Sequence, residues 1–263
     1  MNKMIRVTAF SKWATARAAP TVCVLILFVL SCVNTSTPPR LFFSPIVVIT
    51  FDDAHPSVYG FAFPAMRAMD GTWAATHFFP ATYAGPQGTI TLNQLKEMEK
   101  AGWETGGHGV THENLSSVLP VTVESQVKED NDFLTANGLS HESYAYAFGN
   151  YNDTVKAMVK KYFMNIRTAH DYEYLDGVNR TELGYYAVKS GCSADDLIAR
   201  VEMARSIGSP LVIIGFHAVI PDTAPPVPMY WCKESVFMGF LRYLKNEEFP
   251  VMTLKKAMKE LCR

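Results

Sequence analysis

The chain has 263 residues, an apolar fraction of 48% and 24 basic against 25 acidic residues. That length and composition suit one domain with a sizeable core and exclude a disordered or low-complexity chain. The first 31 residues hold Lys3, Arg6, Lys12 and Arg17 and no acid; the remainder counts 20 basic against 25 acidic residues, a net of −5 without a Lys/Arg cluster, which argues against nucleic-acid binding.

In chain order, the first element is a targeting segment. A basic stretch precedes Val22-Cys23-Val24-Leu25-Ile26-Leu27-Phe28-Val29-Leu30. That apolar run is too short to span about 30 Å of hydrocarbon as a helix, and it fits the h-region of a signal peptide. Val29-Leu30-Ser31-Cys32 resembles a bacterial-type lipoprotein cleavage box, although Leu30 is larger than the usual residue there. Residues 1–32 are therefore expected to be a signal peptide or lipoprotein signal/anchor, 33–43 a Ser/Thr/Pro tether, and 44–263 the folded body. The expectation is an exported, extracytoplasmic chain held at the membrane through lipid on Cys32 or through an uncleaved N-terminal anchor. Cys192, Cys232 and Cys262 remain in the body; an odd number permits at most one disulfide, and their spacings match no zinc motif.

From residue 44 onward, short apolar runs alternate with helical patterns. Strands are predicted at 46–50, 73–79, 103–105, 143–148, 164–168 and 211–216, and helices at 61–69, 92–101, 121–137, 153–162, 194–207, 235–246 and 254–261. Thr91 is a good N-cap and Gly102 a stop for 92–101; Thr122 is a cap candidate and Gly138 a stop for 121–137. Alternating strands and helices imply βαβ units and a parallel sheet. The repeat count suits a barrel, with a doubly wound open sheet as the alternative. No glycine-rich phosphate loop occurs.

In parallel α/β folds the site lies beyond the C-terminal ends of the strands. Asp52 and Asp53 follow the first strand, Gly106-Gly107-His108-Gly109-Val110-Thr111-His112 the third, and His217 the run 211–216. Two adjacent aspartates could form a simple turn. His108 and His112, four apart, let both imidazoles face one point; a carboxylate with two imidazoles is a three-ligand set for Zn²⁺ or a similar ion with a position open to water. Either aspartate completes it, leaving the other for proton transfer.

"VVITFDDAHP", "ITLNQLKEMEKAGWETGGHGVTHENL", "YAYAFGNYN" and "LVIIGFH", in this order over residues 44–220, resemble the successive motifs of the polysaccharide deacetylases, the family 4 carbohydrate esterases. The resemblance implies a distorted (β/α) barrel of about seven parallel strands, similar to a TIM barrel. It implies a hydrolase removing N-acetyl groups from an N-acetylglucosamine-containing glycan, with an O-acetyl esterase on a glycan such as xylan, or a degenerate glycan-binding member, as alternatives. It implies one divalent metal ion, Zn²⁺ first among them, on Asp53, His108 and His112. Asp52 is implied as the base acting on water and His217 as the acid for the leaving amine, with a backbone donor for the oxyanion near Phe148.

Ala145-Tyr146-Ala147-Phe148-Gly149 lacks the Arg and Pro of the family's third motif, and that Arg normally orients the base. Arg167, at the next strand end, is a substitute unless it forms a surface or structural salt bridge. Asp171 is a candidate to orient His217. Ala54 stands where the family often has Gly; His55 reads as a loop residue, His77 as a core or rim histidine, and His141 and His170 carry no role. Tyr83, Tyr151, Tyr172, Tyr174, Tyr230 and Trp231 are candidates for stacking on sugar rings.

Overall fold

The structure, a computed structural model, describes residues 44–262 apart from 86–87, 172–173, 175–176 and 226–229. The expected targeting segment 1–32, the tether 33–43, Cys23, Cys32 and Tyr172 lie outside the described residues.

The strands are β1 (Ile46–Asp52), β2 (Thr76–Phe79), β3 (Glu104–Gly107), β4 (Ser143–Ala145), β5 (Asn165–Arg167), β6 (Tyr186–Ala187) and β7 (Leu211–Phe216). The helices between and after them are α1 (Phe63–Met69), α2 (Leu92–Lys100), α3 (Pro120–Ala136), α4 (Asp153–Val159), α5 (Ala194–Ile207), α6 (Glu234–Asn246) and α7 (Leu254–Leu261). A separate parallel pair, β8 (Ala218–Ile220) and β9 (Trp231–Lys233), sits between β7 and α6. The seven main strands form one sheet in the order β5-β4-β3-β2-β1-β7-β6, with every pairing parallel.

Closure of the sheet distinguishes the distorted barrel from the open doubly wound alternative. Leu183 exchanges backbone bonds with β5, donating to Ile166 O at 2.9 Å and accepting from Thr168 N at 2.8 Å. Five residues on, Val188 N donates to Gly215 O of β7 at 2.8 Å. One segment therefore joins both edges of the sheet.

Period-two alternation sorts β1 between the two faces. Val47, Ile49 and Phe51 join the core shared with the surrounding helices. Val48 packs on the other face with Phe78, Ala145, Leu183 and Ile213, over Leu254, Ala257 and Met258 of α7. Asp52 follows the same inward parity, and Asp53 is the first residue past the strand.

Most predicted helices and strands are present within a few residues. Thr91 caps α2 with a reciprocal Gln94 capping box, as its spacing suggests. Thr122 is no cap: α3 begins at Pro120 behind Leu119, since proline suits a first helical position where an N–H has no partner to lose. The run 143–148 stops as a strand at Ala145, because Phe148 takes φ 59° in a tight turn over Ala147–Gly149. The strand pair β8–β9 has no counterpart in the predicted elements. Cys192, Cys232 and Cys262 are all free, so no disulfide forms among the described residues. Among those residues no helix is long and apolar enough to cross a membrane.

Candidate active site and metal centre

The ends of β1, β3, β5 and β7 open on one cleft of about 750 Å³ that contains Asp52, Asp53, His108, His112, Arg167 and His217. Asp53 turns at φ 65°, and its Oδ1 lies 3.6 Å from His108 Nε2 and 3.0 Å from His112 Nε2. The three ligand atoms all fall within 4.8 Å of one another. Donors placed tetrahedrally around Zn²⁺ at about 2.0–2.1 Å stand roughly 3.4 Å apart, so the spacing fits one ion. Asp53 Oδ1 is buried yet receives no well-aligned hydrogen bond, as suits atoms arranged around a common point. His108 Nδ1 donates to Ala145 O at 2.7 Å, which leaves the Nε2 lone pair facing that point. Burial acts to raise the Asp53 carboxyl, but the two imidazoles beside it prevail and hold it well below the usual carboxylate range. The residues present therefore fit a divalent ion.

Asp52 points into the barrel, where its Oδ2 accepts from Arg167 Nη2 at 2.5 Å; both side chains are almost fully buried. Its Oδ1 is buried without a partner. The Arg167 guanidinium lies 5.0 Å from the Phe78 ring centre and 3.8 Å from that of Tyr185. Two glycines make that cage: a Cβ on Gly106 would meet the Phe78 ring at 2.7 Å, and one on Gly215 the Tyr185 ring at 2.4 Å. Arg167 is thus neither a surface pair nor remote from the site; it bonds the aspartate whose partner is missing from the third motif.

His217 follows β7 with Nε2 3.9 Å from Asp52 Oδ2, and the Tyr230 ring stacks on it at 5.0 Å and 23°. Burial pushes the His217 imidazole below its ordinary value, against the opposing charges of Asp52 and Asp53. Asp171 does not orient it, because that carboxylate pairs with Arg200 of α5; His217 Nδ1 stays buried without a partner.

The remaining histidines divide clearly. His55 turns back on Ser57, His141 is exposed, and His170 stands edge-on to Tyr151. His77 is more than a core histidine: its Nε2 donates to the Asp53 carbonyl at 2.6 Å, and burial pushes its ring down to about 4, keeping it neutral. Alternation alone hid this, since His77 lies within an apolar run and its partner belongs to another strand end.

Of the expected stacking aromatics, Tyr230 lines the cleft, whereas Tyr174 and Trp231 are buried. Tyr151 stacks on Tyr146, and Tyr83 tilts against His112. Phe148, 63% exposed and 4.6 Å from His112 ring to ring, stands at the rim. Tyr185 and Tyr186 were missed as cleft residues because β6 is only two residues long and gives no periodic signal.

Fold and site together define a parallel (β/α) barrel with an Asp–His–His triad suited to a divalent cation. Residues 43–166 match the polysaccharide deacetylase family model. Arg167 and His217 lie beyond the matched segment. A curated protein of Bacillus subtilis, YxkH, whose name assigns it to the polysaccharide deacetylases, is 28% identical over 127 residues, or 46% of this chain and 44% of its own length. The Streptococcus pyogenes deacetylase PplD, solved with acetate, shares the fold at a TM-score of 0.50 and 23% identity, over 58% of this chain and 68% of its own. The Bacillus anthracis protein BA3943, described as a family pseudoenzyme, shares it at a TM-score of 0.56 and 16% identity, over 82% and 66%. A protein with this fold can thus lack activity.

Proposed function

We propose that this chain is a metal-dependent hydrolase that removes N-acetyl groups from an N-acetylglucosamine-containing glycan outside the cytoplasm. The observation that carries the reading is Asp52, locked by Arg167 at one oxygen and without a partner at the other, directly beside the Asp53–His108–His112 triad. Asp53, His108 and His112 would hold a divalent ion, Zn²⁺ by their carboxylate-and-imidazole donor set, which would supply Lewis acidity to the acetyl carbonyl and lower the pKa of water. Arg167 fixes the Asp52 carboxylate through Oδ2 and leaves Oδ1 unpartnered as the proton acceptor for the attacking water. His217, whose Nε2 lies 3.9 Å from Asp52 Oδ2, protonates the leaving amine. Tyr230 and Phe148, both exposed at the cleft, offer ring faces to a sugar.

Acetate release from chitooligosaccharide, peptidoglycan and acetylated xylan tests the reading. Asp52→Asn should keep its metal and lose about 10²–10⁴-fold in kcat, whereas Asp53→Asn should lose metal affinity and recover part of its activity in excess metal. Wild-type turnover in Asp52→Asn would sink the mechanism, and release from xylan alone would shift the substrate to the O-acetyl class.

The basic segment ahead of residues 22–30 and the Cys32 box support export and membrane tethering, through lipid on Cys32 or an uncleaved anchor. Fractionation should find the chain with membranes, released in part because one acyl chain anchors marginally. An unprocessed, soluble cytoplasmic chain would overturn this.

A further inference from the structure

The segments carrying the three ligands are each held from behind by a side chain that contributes no ligand. Asp53, at φ 65°, has its carbonyl bonded by His77 Nε2 of β2 at 2.6 Å. Gly109, at φ 82° and next to His108, donates its amide to Asp130 Oδ2 of α3 at 2.8 Å, and the His108 amide faces the same carboxylate. Thr111, next to His112 at φ 56°, donates its amide to Gln126 Oε1 at 3.1 Å. Gln126 and Asp130 are four apart on α3, so one face of one helix bonds the His-x-x-x-His loop at both the Gly109 and Thr111 amides. His77 and Asp130 are both 0% exposed. Gly107 permits the approach: a Cβ there would stand 2.6 Å from Asp130 Oδ2. Left-handed backbone at Asp53 and His112 is strained for residues with a side chain and persists only where the surroundings impose it.

We infer that His77, Asp130 and Gln126 are positioning residues of the metal centre, an outer shell that grips the ligand backbone and keeps Asp53, His108 and His112 facing one point before an ion arrives. The inference rests on the Asp53–His108–His112 ligand reading. An outer shell commonly bonds the ligand side chains themselves, as Ala145 O does for His108; these three residues act on main-chain atoms instead. Releasing a clamp lets the ligand segment leave the left-handed region, so affinity falls although every ligand remains.

The test uses the purified full chain, with Zn²⁺ affinity measured by chelator competition and ligand geometry by the visible spectrum of the Co²⁺ form. His77→Phe keeps a ring against Phe79 and removes the donor; Asp130→Leu removes the acceptor, and Asp130→Asn retains one. We expect His77→Phe and Asp130→Leu to weaken Zn²⁺ binding roughly 10–100-fold and alter the Co²⁺ spectrum, with Asp130→Asn close to wild type and Gln126→Ala intermediate. A purely structural role would lower the melting temperature of the metal-free protein and leave affinity and spectrum unchanged. Unchanged affinity in folded His77→Phe and Asp130→Leu overturns the inference; if Asp130→Leu does not fold, His77→Phe and Gln126→Ala decide. A wild type that binds no divalent ion overturns the ligand reading itself, a result distinct from wild-type binding that the clamp variants leave intact.

Discussion

The two walls of the cleft are built by different means. On one wall, Asp53, His108 and His112 follow β1 and β3, and hydrogen bonds to the backbone fix their geometry, from His77, Asp130 and Gln126. On the other, Arg167 ends β5 and His217 follows β7, and rings hold them: Phe78 and Tyr185 around the guanidinium, Tyr230 over the imidazole. The first wall lies within the segment that matches the family model; the second lies past its end. The Asp53, His108 and His112 group comes from short motifs, whereas the orientation of Asp52 depends on packing between segments far apart in sequence. Asp52 and Arg167 are 115 residues apart.

The comparison breaks most severely at the ligand wall. His108→Ala leaves two donors, which hold an ion poorly; bound metal should fall from about one equivalent to near zero by elemental analysis, and acetate release with it. Full occupancy in the double variant Asp53→Ala/His112→Ala would show that the triad is no metal site.

At the second wall the expected effect is on stability and orientation. Arg167→Met strands the buried Asp52 carboxylate, a change that costs about 3–5 kcal/mol. Chemical denaturation should show that loss, and Asp52→Asn/Arg167→Met should regain much of it, because the stranded charge is gone. Metal affinity should change little in either variant if the walls are independent. A tenfold loss of affinity in the double variant would join them into one unit.

The smallest effect concerns pH. His217 acts as a proton donor only when protonated, and burial places its pKa below the ordinary histidine value of 6.5, with Asp52 and Asp53 opposing and Arg167 and His108 reinforcing. The protonated fraction falls as pH rises, so kcat should decline on the alkaline side with a midpoint below 6.5. His217→Asn should remove that limb. Activated acetyl esters, whose leaving groups need little protonation, should show less of it, and a limb retained in His217→Asn would assign the acid to another group.

The sequence by itself determined the βα alternation, most helix limits and the Asp53, His108 and His112 group that the fold brings together. These depend on local signals: hydrophobic period, the Thr91 cap, and acids and histidines placed just past strand ends. It left Arg167 open between a site role and a salt bridge, proposed Asp171 for His217, and read His77 as a core or rim histidine. Tertiary structure decided all three. Arg167 enters the barrel because glycines at 106 and 215 leave room for the rings that cage it. Asp171 is taken by Arg200 of α5. His77 bonds the Asp53 carbonyl because β1 and β2 lie side by side. Closure through the segment from Leu183 to Val188 was likewise decided in three dimensions. The physical reason is common to these cases: a charged or polar side chain declares its residue type in the sequence, but its partner is whichever group the packed strands bring within hydrogen-bonding distance.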